Sequence, residues 1–288
     1  MTSPSRIALA LTIATAAFTP HVIAQQPFDS QSLAHPSTAL GVTLSLSKGQ
    51  GRQTNVPRAA APPARPAPRA VDGKPDLSGF WRGPLLRNMD KNVPGGFKSI
   101  FTPAGAAAYE RNRTKTINPE GLCLFAGIPR ASISGVPFQI VQASTRVAFL
   151  YELMWTFRSI PVDGRTLPAA PEPSFFGTSV GRWDRDVFVI ESRGFKEEQS
   201  WLDDDAHPHS DGMTVVERWW RPDADHLAHE ITVTDPKYYT RPFTFDRVFE
   251  HMPAGQELIE FACNENNRDL PRLGFGPHEP EIYDKPTR

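Results

Sequence analysis

The stretch Met213–Thr234 reads MTVVERWWRPDADHLAHEITVT. Its apolar residues recur at every second position on both sides of a turn: Met213, Val215 and Trp219 before it, Leu227, Ile231 and Val233 after it. A period of two marks a strand with one buried face, and Pro222, Asp223 and Ala224 offer a three-residue connection. The reading is an antiparallel hairpin that sets Met213 opposite Val233, Val215 opposite Ile231, Glu217 opposite His229 and Trp219 opposite Leu227. Thr214, Arg218, Glu230 and Thr232 form its solvated face. A slip of one residue would scatter the apolar set over both faces.

The same alternation recurs along the chain. Runs rich in Val, Ile, Phe, Trp and Thr predict strands near Phe138–Ala143, Arg146–Leu153, Trp155–Val162, Ser179–Asp184 and Asp186–Arg193, then Met213–Arg221, His226–Thr234, Thr240–His251 and Glu257–Cys263. Connections are mostly short and long helices do not intervene. The fold class expected is mainly β: an antiparallel meander closing into a lipocalin-like β-barrel, since closure removes exposed strand edges. A β-sandwich or cupin-like arrangement is the alternative. One short helix precedes the strands, with Thr102 as its cap, Pro103 at its first position and Ala104–Arg113 as its body.

Residues 1–24 read as a secretory signal peptide, with Arg6 before the apolar run Ile7–Phe18 and small residues at Val22 and Ala24. The apolar run is shorter than the roughly 20 residues of a membrane-spanning helix. Residues 25–70, rich in Pro, Ala, Ser, Gln and Arg, read as a disordered linker. A single barrel domain is expected over 71–270, with a C-terminal tail over 271–288. These features predict an exported, periplasmic or extracellular protein without a membrane span. The formal net charge of −1 argues against nucleic acid as a partner. In an oxidising compartment the two cysteines, Cys123 and Cys263, read first as a disulfide.

Candidate chemistry gathers in DDDAHPHSDG, Asp203–Gly212. On an extended segment His207 and His209 point the same way and Asp211 falls in the same frame. Such His and carboxylate sets take zinc, iron or manganese, with His226, His229 or His251 as a distant further ligand. No cofactor is favoured, and a loose calcium site at Asp203–Asp205 or an ordinary exposed loop fits nearly as well. The rival chemistry is metal-free acid–base catalysis by Glu217 with His229, or by His209 with Asp203. Glu217 and His229 would sit inward among apolar residues, as would Tyr151, Arg247 and, on the face of Val187 and Val189, Glu191. Charged groups there require partners, water or a ligand. Arg247 or Arg158 would stabilise an oxyanion, Tyr151 and Arg247 would orient substrate, and Tyr238 and Tyr239 are further proton donors or substrate contacts. The catalytic set is thus His207, His209, Glu217 and His229. A GxSxG elbow and glycine-rich nucleotide loops are absent from the sequence.

Several motifs in combination resemble a large family of exported bacterial proteins: PDLSGFW at Pro75–Trp81, CLFAGIPR at Cys123–Arg130, SVGRWDRDVFVIES at Ser179–Ser192, WLDDDAHPHSDGMTVVER at Trp201–Arg218, DPKYYTRPF at Asp235–Phe243 and FACNEN at Phe261–Asn266. The resemblance spans nearly all of Val71–Asp269 and implies one domain with the linker as a local addition. It brings no activity or catalytic residue with it. The residues themselves point to an exported enzyme acting on a small apolar or aromatic molecule, of lyase, hydratase or isomerase type. The alternatives are a non-catalytic carrier of a hydrophobic ligand and a metal-dependent enzyme of cupin type.

Overall fold

Strict alternation of buried and exposed side chains builds the sheet. In the computed structural model, which describes residues 64–265, nine strands follow one another: β1 (Gly79–Arg82), β2 (Phe138–Gln142), β3 (Arg146–Tyr151), β4 (Thr156–Pro161), β5 (Thr178–Asp184), β6 (Val187–Arg193), β7 (Thr214–Trp220), β8 (His226–Thr234) and β9 (Phe243–His251). All pairings are antiparallel, in the order β4-β3-β2-β1-β9-β8-β7-β6-β5. The product is a nearly closed nine-stranded barrel, the meander expected from the pattern. The stretches expected to be a signal peptide and a C-terminal tail, and most of the expected linker, lie outside the described residues. Residues 64–70 do not stand free of the barrel: Arg69 pairs with Asp186 at 2.7 Å, and Arg65 pairs with Asp225.

Inward positions carry large rings. Phe149 and Tyr151 from β3, Trp219 from β7, Phe249 from β9 and Phe138 from β2 are all buried. Phe138 meets Phe249 edge-on at 5.0 Å between centroids, and Phe149 lies 5.1 Å from Trp219. Each such side chain contributes about 1.5–3 kcal/mol on leaving water.

Two strands differ from expectation. β1 is only four residues long and has no period to read. It forms because β2 and β9 flank it. At Gly79, φ is +151° and a Cβ would lie 2.9 Å from the His251 ring, so the close approach requires glycine. Glu257–Cys263, in contrast, is not a strand. The segment is held by side chains instead: Trp155 Nε1 donates to the Ile259 carbonyl at 2.9 Å, and Cys263 is joined to Cys123 with Cα atoms 5.6 Å apart. β9 begins at Phe243 rather than Thr240; Pro242 just before it has no N–H to give a ladder.

The β7–β8 register is also corrected. Val215 faces Val233, Glu217 faces Ile231 and Trp219 faces His229, two residues away from the expected pairing. A two-residue shift keeps every side chain on its face, so the apolar pattern could not detect it. The turn decides it. Asp223 accepts from the backbone N–H groups of Asp225 and His226, and Arg221 donates to the carbonyls of Asp223 and Ala224. These bonds stabilise a longer connection than three residues.

Two α-helices, α1 (Pro103–Lys115) and the single turn α2 (Arg130–Ile133), and four short 3-10 turns complete the described elements. As expected, Thr102 caps α1, accepting from Gly105 N at 3.0 Å.

The Cys123–Cys263 bridge spans 140 residues. Replacing both cysteines by serine should lower unfolding free energy by about 2–5 kcal/mol, measured as a fall in the urea midpoint. An unchanged midpoint would show that the bridge does not constrain the unfolded chain.

Candidate functional site

The loop after Trp201 is organised by one buried carboxylate. Asp203 accepts from Met89 N at 2.8 Å and from Asp205 N at 3.0 Å, and His207 Nδ1 lies 2.8 Å from its Oδ2. The His207 ring is packed among aromatics, 4.1 Å from Phe97 and 5.1 Å from Tyr109. Asp204 pairs with Arg130 at 2.6 Å, and Asp205 accepts from Asn88 at 2.9 Å. The acidic run therefore spends its carboxylates on separate structural partners. Tyr239 is likewise committed, its hydroxyl donating to the Pro208 carbonyl at 2.6 Å inside the same cluster.

His209 faces elsewhere. It lines a cavity of about 630 Å³ between α1, residues 197–201 and the turn at Lys237 and Tyr238. The turn is built by Asp235, whose carboxylate accepts from Ser210 N at 2.6 Å and Ser210 Oγ at 2.7 Å. α1 lies directly on it: a Cβ at Gly105 would fall 2.1 Å from the Tyr238 carbonyl oxygen, and Thr102 Oγ1 donates to Lys237 O at 2.6 Å. Glycine in the first turn thus sets the cavity's width.

His209 Nδ1 lies 3.2 Å from the Ser210 carbonyl. A carbonyl can only accept, so Nδ1 carries the proton and Nε2 keeps its lone pair. Burial pushes the imidazole below its usual 6.5, leaving it neutral at pH 7. Beside it, Lys237 Nζ lies 2.7 Å from Glu197 Oε2 and the Tyr238 hydroxyl donates to Glu197 Oε1. Burial raises the Glu197 carboxyl, but Lys237 and Tyr238 outweigh it and hold the group ionised. Burial and the Glu197 charge raise Tyr238 and keep it a phenol. Ala104, Ala107, Ile117, Trp201 and Pro208 supply apolar wall.

Inside the barrel, Glu217 meets a partner that its own hairpin does not contain. Arg158 of β4 grips it with both Nη atoms, at 3.2 and 2.6 Å, and also donates to Ser179 and Ser192. His229 Nε2 lies 3.4 Å from Glu217 Oε1, and its ring stacks on Trp219 at 3.7 Å. Burial raises the Glu217 carboxyl, yet the Arg158 charge and then His229 bring it down to about 2. Burial lowers His229 and keeps it neutral despite Glu217. Tyr151 is pushed by burial up to about 12, against the pull of neighbouring Arg158. Arg247 stands opposite His229 in the β8–β9 ladder and donates to the Pro84 carbonyl. Glu191, expected inward, instead faces out and pairs with Arg182 at 3.1 Å, because β6 turns Phe188, Ile190 and Ser192 inward.

The structure therefore unites Glu217, His229, Arg158 and Tyr151, and separates them in their contacts from His207 and His209. It pairs Asp203 with His207 rather than His209. Asp211 is exposed beside Lys237 at 3.8 Å. Among the described residues no three His, Cys, Asp or Glu side chains converge where they could hold a metal ion, so His207, His209 and Asp211 do not form a joint ligand set. His226 pairs with Asp223 and His251 packs edge-on against Trp81. Glu197 and Lys237 are candidate site residues that were not singled out from the sequence; Glu197 stands in a polar stretch with no local signal, and Lys237 lies within the DPKYYTRPF motif beside the tyrosines that were. No protein-family model matches the chain, and no curated protein is similar to it.

Groups whose pKa is lower folded than unfolded bind fewer protons when folded, so the stability they contribute is lost as pH drops. His209 and His229 should erode stability as pH drops below 6.5, and Glu217 should add to this from 4.5 toward about 2. Urea midpoints from pH 8 to 3 test this; a flat profile down to pH 5 would contradict buried neutral imidazoles. Glu217→Gln leaves Arg158 buried and unpaired, and should cost about 3–5 kcal/mol in the same assay.

Proposed function

We propose that the chain is an exported enzyme performing acid–base chemistry on a small, largely apolar or aromatic molecule, of lyase, hydratase or isomerase type, in the cavity beside α1. The observation that carries this reading is His209: a neutral, backbone-oriented imidazole in the wall of an open cavity. Its Nε2 accepts a proton from substrate carbon or oxygen and returns it after rearrangement. Lys237 offers an ammonium to a developing oxyanion, and Glu197 with Tyr238 fixes that ammonium in place. The alanine face of α1 and Trp201 receive the apolar body of the substrate. Export is supported by the leader-like sequence at residues 1–24 and by the disulfide. In this reading Glu217 and His229 serve the barrel interior, not the chemistry.

The test is solvent exchange. Protein in D2O is incubated with a panel of small aromatic and aliphatic ketones and β-hydroxy acids, and loss of the activated C–H signal is followed by NMR. The wild type should catalyse exchange or turnover of at least one compound, and His209→Asn should lower that rate by about 100- to 10,000-fold with the melting temperature unchanged. Because the neutral imidazole is the base, the rate should rise with pH and level off below 6.5. Full activity in His209→Asn, or no exchange with any compound, would reject the reading.

A further inference from the structure

The barrel's seam is not sewn by backbone. Among the described residues no strand pairing joins β4 to β5, the two ends of the sheet order. Their connection, residues 162–177, is longer than the roughly 12–15 residues beyond which structureless connections are uncommon and usually functional. Beneath it a groove of about 580 Å³ follows the seam.

Its walls combine two chemistries. Phe157 of β4 is 69% exposed and Phe125 is 43% exposed. Phe175 of the connection meets Phe125 edge-on at 5.7 Å. Large rings held open to solvent in a concave surface are surplus to the core and suit an apolar ligand. The groove also carries Arg146, Arg158 and Arg165, and no Asp or Glu is among its described lining residues. Arg165 is neutralised by Asp163 at 2.5 Å and Arg158 by Glu217 at 2.6 Å. Among the described residues Arg146 has only the Ser159 hydroxyl, at 3.1 Å. One guanidinium therefore faces the groove with its charge unmatched.

The cover is preformed. A Cβ at Gly127 would lie 2.4 Å from the Phe175 carbonyl oxygen, and one at Gly194 would lie 2.5 Å from Pro171. Ser174 N donates to Gly194 O at 3.0 Å. Glycines at both contacts let the connection sit hard against the end of β6 and against the loop before α2.

We infer that the seam groove is a binding site for a small monocarboxylate with an aromatic body, its ring between Phe157 and Phe125 and its carboxylate on Arg146. A single unmatched guanidinium suits a single negative charge, and its fork matches a carboxylate. The site is distinct from the cavity at His209 and stands whether or not that cavity is catalytic.

Calorimetric titration of the folded protein with 4-phenylbutyrate and its neutral analogue 4-phenylbutanamide tests it. The acid should bind, and the amide about ten-fold or more weakly, as expected for one lost charge-assisted contact. Arg146→Gln should reduce the acid to the level of the amide and leave the amide unchanged. Phe157→Ser should weaken both, and His209→Asn neither. Both groove variants lie at the surface, and an unchanged melting temperature certifies their fold. Equal binding of acid and amide, an Arg146→Gln variant that binds like wild type, or no heat from either probe at millimolar concentration would overturn the inference.

Discussion

The ion pair between Arg158 and Glu217 is the constraint around which the barrel is arranged. Both side chains are buried, and bringing two charges out of water costs several kcal/mol each. Two-pronged geometry and the hydroxyls of Ser179 and Ser192 offset that cost. The contact links β4 to β5, β6 and β7 at the place where backbone ladders stop. Side-chain electrostatics thus close the sheet that hydrogen-bonded strands leave open. Arg158 holds Glu217 ionised, while burial keeps His229 a neutral ring stacked on Trp219 and Tyr151 a phenol.

That closed interior contrasts with the surface beside α1. There the polar groups are assembled by loops leaning on a helix, held by the close approach of Gly105 to Tyr238 and by the bonds of Thr102 to Lys237 and Tyr238. Loops supply His209, Glu197 and Lys237 from three separate stretches of chain, while Asp235 and Asp203 stiffen the loops from within. Chemistry placed on loops over a rigid scaffold is a common division of labour. The seam groove follows the same logic, with its cover pinned at two glycines.

Much of the architecture was legible. Period-two alternation located eight of the nine strands of the barrel, and the Thr102–Pro103 pair located the start of α1. β1 was not legible because four residues carry no period, and their pairing comes from strands distant in sequence. Glu257–Cys263 has alternation without a neighbour to pair with. The inward orientation of Glu217 and His229 could be read, but not Glu217's strongest partner, since Arg158 lies on a strand across the barrel. His207 and His209 looked equivalent by spacing. Ala206 in a left-handed conformation and the turn closed by Asp203 take the first to a carboxylate and aromatic rings, and leave the second to the cavity.

By itself, then, the sequence determined eight of the nine strands, the buried face of the β7–β8 hairpin, and where the helix begins. These are local consequences of side-chain alternation and capping, decided within a few residues. Only the tertiary structure decided the hairpin register, the partner of Glu217, the separation of the two histidines and the groove at the seam. A register shift of two leaves the burial pattern unchanged, and charge pairing across a barrel depends on distances that neighbours along the chain do not encode.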